Sequence, residues 1–116
     1  MQTLLFTLPL KHGTLEKYQQ FINEVTGPKK REYSAMLIRY GLKTAKIWHH
    51  KIANQDYVFV LHDAEDDALE RLKSWSSSTH PFDRWFDEQL FNCYDFPNFD
   101  SLPDQPRFLY HFIAAS

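Results

Sequence analysis

The stretch that decides the fold is TAKIWHHKIANQDYVFVLH, residues 44–62. It contains two runs rich in β-branched and aromatic residues, 44–52 and 56–62, with the short polar segment Ala53-Asn54-Gln55 between them. Two such runs joined by so short a connection are typical of a β-hairpin. We therefore predict two adjacent antiparallel strands here, the second and third strands of the chain.

The length of the hairpin loop decides which side chains share a face, because successive residues of a strand point to opposite sides. With a two-residue loop, one face carries Ile47, His49, Val58, Val60 and His62, and the other carries Trp48, His50, Tyr57, Phe59 and Leu61. A three-residue loop would exchange the faces of one strand. Both alternatives remain open at this point.

Upstream of the hairpin, the apolar run 3–10 predicts a first strand, buried on both faces. Helical spacing of apolar residues then predicts a helix from Thr14 to about Thr26, which Gly27-Pro28 interrupts. A second helical stretch covers 29–40. The two stretches form either one kinked helix or a helical pair.

Downstream, residues 66–75 carry leucines and a tryptophan at a spacing of three, and the acids before them suit the positive end of a helix dipole. A further helix is predicted from Pro81 to about Asn92, because proline favours the first helical turn. Prolines and acids predict a loop over 95–106. Alternation over 108–113 then predicts a last strand.

This order of elements predicts a single α+β domain covering residues 1–116, with a ferredoxin-like βαββαβ arrangement. Such a domain has a four-stranded antiparallel sheet with helices on one face. The other face is left with bulky apolar groups, so we expect a second copy of the chain to cover it.

Charge and length exclude several classes of protein. A net charge of −2 provides no basic field for a phosphate backbone, so nucleic acid is not an expected partner. No apolar run is long enough to span a membrane, and the start lacks the features of a signal peptide, which predicts a cytoplasmic protein without a membrane partner. The single cysteine, Cys93, is expected to be a buried apolar residue.

Three short motifs carry a resemblance to a known group of proteins. They are Lys11-His12-Gly13 before the first helix, Tyr57 at the start of the third strand, and Ser78-Thr79-His80-Pro81-Phe82-Asp83 before the aromatic helix. With the order of elements, they make the chain resemble the dimeric α/β-barrel superfamily, and most nearly a family of uncharacterised bacterial proteins within it. The resemblance implies a homodimer in which two ferredoxin-like sheets pack into a barrel.

The same resemblance implies several functions: cofactor-free oxygenases, haem-handling enzymes, ring isomerases and cyclases, and members without known activity. Fold alone does not choose among them. We expect no cofactor and no metal site, because the six histidines lack the close spacing of metal-binding motifs.

Several histidines are nevertheless candidates for a site. His49 and His62 could face each other across the hairpin, or they could be packed and hydrogen-bonded at the sheet surface. His50 shares a face with Trp48 and Tyr57, an arrangement that suits either an apolar ligand or a dimer interface.

The start of the aromatic helix offers a second candidate. His80 and Asp83 are three residues apart, so the carboxylate could orient the imidazole as a general base, although helix capping explains the same pair. His111 on the last strand is a candidate acid or base, and Trp85 is either a core residue or a pocket wall.

These observations lead to two hypotheses. In the first, a homodimer binds a small apolar, aromatic or polyketide-like compound in a pocket between sheet and helices, and acts as a cofactor-free oxygenase or isomerase. The candidate catalytic residues are His50, His80 and Asp83. In the second, the chain is a non-catalytic ligand-binding or protein-interaction module. The presence of a pocket separates the two.

Overall fold

The computed structural model describes residues 1–95 and 104–115. In chain order the elements are strand β1 (Gln2–Pro9), helices α1 (Leu15–Thr26) and α2 (Lys30–Arg39), strands β2 (Lys46–Ile52) and β3 (Gln55–Ala64), helix α3 (Ala68–Leu72), a short 3-10 turn (Trp75–Ser77) and helix α4 (Pro81–Cys93). The strands form one antiparallel sheet in the order β1-β3-β2. This confirms the α+β class.

The hairpin has a two-residue loop. Ile52 lies opposite Gln55, which leaves Ala53 and Asn54 as the connection, with φ angles of 49° and 67°. Two consecutive positive φ angles are the feature of a type I′ turn, whose twist matches that of the flanking strands. The register therefore places Ile47, His49, Val58, Val60 and His62 on one face, as the two-residue alternative predicts.

Strand β1 is buried on one face only, so the prediction of burial on both faces is wrong. Leu4, Phe6 and Leu8 point into the core, whereas Thr3 and Thr7 are exposed. β1 pairs with β3 on one side, and among the described residues no strand pairs with its other side. An edge strand whose sheet has helices on one side alternates between core and surface.

Helices α1 and α2 are a helical pair separated by Gly27-Pro28, and both pack with α4. Gly41, at φ 72°, ends the second helix in the left-handed conformation that glycine adopts without strain. The core lies between these helices and the sheet. Its buried apolar members are Leu4, Phe6, Leu8, Leu10, Tyr18, Phe21, Val25, Met36, Tyr40, Leu42, Val58, Val60, Ala64, Ala68, Leu72, Cys93 and Tyr94.

The helix predicted from Pro81 is confirmed, with proline in its first turn. The helix predicted over 66–75 is shorter than expected. It covers only Ala68–Leu72, and the chain then tightens into the 3-10 turn at Trp75–Ser77. Serines at 74 and 77 donate hydrogen bonds to nearby backbone carbonyls, a local competition that ends a helix.

The predicted last strand is absent from the described part of the chain, where the sheet has three strands instead of four. Residues 104–115 form no regular structure, and Phe108, Leu109, Tyr110, Phe112 and Ile113 are each at least 72% exposed. We call residues 104–115 the C-terminal arm. Alternation is a local signal, but a strand also requires a neighbour for its backbone hydrogen bonds. Most of the predicted 95–106 loop lies outside the described residues.

Candidate functional site

A cavity of about 160 Å³ lies between the helices and the face of the sheet that they cover. The wall on the sheet side is made by Phe6, Leu8, Ile47, Val60 and His62, which strand pairing places on one face. An apolar cavity of about 150 Å³ can hold one benzene ring. The volume therefore suits a compound of one ring, or a compound of two rings if part of it extends out of the cavity.

Aromatic rings form a large part of the helix side of the cavity. Phe86 of α4 stacks on Tyr33 of α2 at 5.7 Å between ring centroids, and it contacts Phe21 and Trp75 edge-on at 4.9 and 5.8 Å. Edge-on and offset contacts are the favourable arrangements for such rings. These contacts fix the shape of the wall before any ligand arrives.

Two tyrosine hydroxyl groups form a buried polar pair at the cavity. Tyr18 of α1 and Tyr94, which follows α4, are 2.7 Å apart at their oxygens. Burial raises the pKa of both hydroxyls well above the ordinary value for tyrosine. Both groups are therefore neutral, and one hydroxyl donates a hydrogen bond to the other. The proton of the accepting hydroxyl has no acceptor among the described residues, so this pair can donate to a ligand.

His62 is the polar group on the sheet side of the cavity. Its side chain is buried, its ring meets the edge of Phe6, and its Nδ1 lies 2.8 Å from the backbone oxygen of Thr44. Burial lowers the pKa of the imidazole, and the hydrogen bond to Thr44 only partly offsets this. His62 is thus a neutral imidazole near pH 7, which is the form that can accept a proton.

Asp87 of α4 contributes a carboxylate to the cavity wall. It accepts a hydrogen bond of 2.8 Å from the indole Nε1 of Trp75 and lies 3.5 Å from Nη1 of Arg84. Arg84 also donates to the backbone oxygen of Trp75. This carboxylate therefore holds the tryptophan wall in position.

Asp83 is one of the most deeply buried side chains, with 1% of its surface exposed. Its carboxylate accepts hydrogen bonds from the Arg39 guanidinium, from the Tyr40 hydroxyl at 2.6 Å and from the Ser78 hydroxyl at 2.7 Å. Burial by itself would raise the pKa of Asp83, but the three hydrogen bonds and the charge of Arg39 outweigh it and lower the pKa. The group joins α2, α4 and the segment before α4.

The structure does not pair His80 with Asp83 as an imidazole and its orienting carboxylate. His80 is the exposed residue immediately before α4, and its backbone N–H is hydrogen-bonded to Ser78. The carboxylate of Asp83 is instead directed to Arg39, Tyr40 and Ser78. Their roles at the helix start account for both residues, since His80 precedes the first turn and the acid Asp83 within that turn suits the positive end of the helix dipole.

Trp48, His50 and Tyr57 come together, but on the face of the sheet opposite the cavity. His50 lies opposite Tyr57, and Trp48 lies opposite Phe59 and is 51% exposed. We call this surface the open face. Its residues cannot line the cavity, because alternation directs them away from the helices.

The other candidates are dispersed. His49 shares the cavity-side face of the sheet with His62 but lies opposite Val58, four residues along β3 from His62 and thus about 13 Å away. It is hydrogen-bonded to Asp56 at 2.7 Å. His111 is exposed on the C-terminal arm. Trp85 packs on Phe21 and Phe82 outside the cavity wall.

Metal and thiol chemistry have no assembled site in the described residues. Within 1–95 and 104–115, no three side chains of histidine, cysteine, aspartate or glutamate are grouped as metal ligands would be. Cys93 is 1% exposed, and burial raises the pKa of its thiol. The expectation of a buried, apolar role for this cysteine is confirmed.

Comparison with known proteins supports the fold. No protein-family model and no curated protein matches this chain. Among solved structures, the chain is similar to tetracenomycin F2 cyclase from Streptomyces glaucescens, a type-II polyketide cyclase, with 18% identity and a TM-score of 0.59 over 99% of this chain and all of that one. At this identity the likeness shows a shared fold, a mixed α+β arrangement of an antiparallel sheet with helices. The dimeric α/β-barrel superfamily and the narrower bacterial family stay predictions.

No helix in residues 1–95 and 104–115 has the length and apolar character that crossing a bilayer requires.

Sequence reasoning did not identify the tyrosine pair or single out His62 from the other histidines. Tyr18 lies on the apolar stripe of α1, and Tyr94 follows an aromatic helix, so both read as core residues. They are separated by 76 positions, and only tertiary packing brings their hydroxyls together.

Proposed function

We propose that this chain binds a small, largely apolar aromatic or polyketide-like compound in the cavity between its sheet and helices. The observation that carries the proposal is the cavity itself, an apolar enclosure of aliphatic and aromatic side chains with polar groups on two sides, His62 and the Tyr18–Tyr94 pair. Apolar walls with a few placed polar groups are the usual composition of a ligand site. The shared fold of a polyketide cyclase supports this class of ligand.

The polar groups also suit proton transfer. His62 in its neutral form can remove a proton from a carbon next to a carbonyl, and the tyrosine pair can donate a hydrogen bond to the carbonyl oxygen as negative charge develops there. Isomerisation or ring closure of an enolisable compound needs such a base and such a donor. We propose this reaction type for the cavity.

The two methionines provide a direct binding assay. Met36 lines the cavity and is 3% exposed, whereas Met1 is 72% exposed. In protein carrying ¹³C-methyl methionine, titration with naphthalene should shift the Met36 signal and leave the Met1 signal unchanged. An unmoved Met36 signal at saturating naphthalene would remove the cavity as a binding site.

A matched pair of variants separates the cavity from the surface. Leu37 lines the cavity, and its neighbour Ile38 is 70% exposed on the same helix. Leu37→Phe should weaken naphthalene binding about tenfold or more, because the larger side chain takes up space in the cavity that the ligand needs. Ile38→Phe adds the same ring to the surface and should leave the affinity unchanged. Equal affinities for the two variants would place the ligand elsewhere.

We further propose that the protein is a homodimer. The open face presents Trp48 and Ile52, both close to half exposed, and the C-terminal arm exposes further bulky apolar side chains. Apolar surfaces of this kind mark interfaces in folded proteins. Native mass spectrometry of the full chain should show two subunits, and a monomer at micromolar concentration would contradict the proposal.

The exposed apolar surfaces also favour the second function, a non-catalytic interaction module. Turnover separates the two functions, and His80, Asp83 and His50 stay predicted catalytic residues in the enzyme interpretation. Once a compound that is converted has been found, His80→Ala should abolish conversion without loss of the fold if His80 is the base, and should keep it if His62 is the base, because His80 is exposed and does not line the cavity. Full activity of that variant would remove His80 from the mechanism, and the same measurement on a His62→Asn variant tests the base proposed above.

A further inference from the structure

We infer that His62 makes the cavity selective for ligands that carry a hydroxyl donor, such as a phenol or an enol, at the sheet side. The inference rests on the proposed function, since it names the chemistry of the group that the same cavity would recognise. It depends on which ring nitrogen of His62 is already hydrogen-bonded within the protein.

The hydrogen bond to Thr44 fixes the tautomer of His62. Nδ1 lies 2.8 Å from the backbone oxygen of Thr44, and a carbonyl oxygen can only accept, so Nδ1 carries the proton. Thr44 is itself held in place. Its backbone N–H donates to the oxygen of Asp63, and its hydroxyl accepts from the backbone N–H of Asp63 at 3.0 Å. The acceptor for Nδ1 is therefore fixed by strand β3.

The second nitrogen, Nε2, is left as an acceptor. In a neutral imidazole with a proton on Nδ1, Nε2 carries a lone pair and no hydrogen. Nε2 has no hydrogen-bond partner among the described residues, although His62 lines the cavity and only 7% of the residue is exposed. Burial lowers the pKa of this imidazole, so the ring resists protonation that would turn Nε2 into a donor.

The consequence is a requirement on the ligand. A hydroxyl placed at Nε2 donates its proton to the lone pair and satisfies both groups. An ether or carbonyl oxygen at the same place would set lone pair against lone pair and leave a buried acceptor unpaired, which costs binding free energy. Methylating a ligand hydroxyl should therefore weaken binding, even though the added methyl group makes the ligand more apolar.

The test compares 2-naphthol with 2-methoxynaphthalene, which share a ring system and differ by that methyl group. Dissociation constants are measured from the Met36 methyl signal of the full-length protein. We expect 2-naphthol to bind about 5–10-fold more tightly, as one hydrogen bond accounts for. Burial of apolar area alone predicts the reverse order. Equal affinities, or tighter binding of the ether, would overturn the inference and leave the proposed function standing. Failure of both compounds to bind would overturn both.

His62→Asn assigns the preference to Nε2. The shorter amide can still donate to Thr44 in place of Nδ1, but it has no group in the place of Nε2. The preference for 2-naphthol should fall to less than about twofold in this variant. A preserved preference would overturn the assignment to His62.

Nitrogen NMR of the wild-type ring gives a measurement that does not depend on the folding of a variant. The signal of the unprotonated nitrogen of His62 should move on addition of 2-naphthol and stay in place on addition of 2-methoxynaphthalene. A proton found on Nε2 in the free protein would refute the tautomer from which the inference starts.

Discussion

Replacement of Asp83 by asparagine should cost more stability than any change of a surface carboxylate. The wild-type carboxylate accepts three hydrogen bonds, from Arg39, Tyr40 and Ser78, in a site with 1% exposure. Removing one partner of a buried ion pair costs about 3–5 kcal/mol. The Arg39 side chain is 31% exposed, so water recovers part of its charge and we expect a loss of about 2–3 kcal/mol.

Urea denaturation at pH 7 measures this loss directly, as a lower midpoint with an unchanged m-value. For a chain of this length the same loss lowers Tm by about 8–12 °C. The matched control is Glu70→Gln, because Glu70 pairs with Lys73 at 2.9 Å while both side chains are over 70% exposed. The control should lose less than about 0.5 kcal/mol. Similar losses for the two variants would refute the view that burial makes the Asp83 pair important.

Three further predictions concern stability. Burial lowers the pKa of His62, so on acidification the unfolded chain takes up this proton before the folded protein does. The free energy of unfolding should therefore fall as the pH drops below about 6.5 and level off below the pKa of the folded state. Urea midpoints measured from pH 8 to 5 should fall less in His62→Asn than in the wild type. Tyr94→Phe should lower the free energy of unfolding by about 1–2 kcal/mol, because it leaves the Tyr18 hydroxyl buried without its partner. Replacing both Tyr18 and Tyr94 by phenylalanine should cost less than the sum of the two single changes. Strict additivity in this double-mutant cycle would contradict the coupling between the two hydroxyls. Changing Ala53-Asn54 to Asn-Gly should raise stability by about 1 kcal/mol, since both positions have positive φ, and a lower thermal midpoint would argue against the type I′ turn.

The open face shows what strand alternation predicts and what it does not. Alternation in the hairpin correctly grouped Trp48, His50 and Tyr57, because a strand has a period of two wherever it lies. It did not say which face the helices would cover. The helices cover the face with His62, so the grouped residues lie outside the cavity to which they were assigned.

His80 and Asp83 show a different limit. Their spacing of three residues is correct for contact on a helix, but a buried carboxylate binds the donors that packing brings to it. Arg39 and Tyr40 are 44 and 43 positions away, and they satisfy Asp83 in place of its neighbour in sequence. A distant cation that meets a carboxylate in the core leaves no periodic signal.

By itself, the sequence determined the α+β class, the hairpin and the helix from Pro81, because each depends on short-range periodicity or on proline and glycine. Tertiary structure alone decided the rest: the cavity, the tyrosine pair, the tautomer of His62 and the absence of a fourth strand in the described residues. These features depend on contacts between segments far apart in the chain. Backbone pairing and burial are properties of such contacts, and no pattern of neighbouring residues contains them.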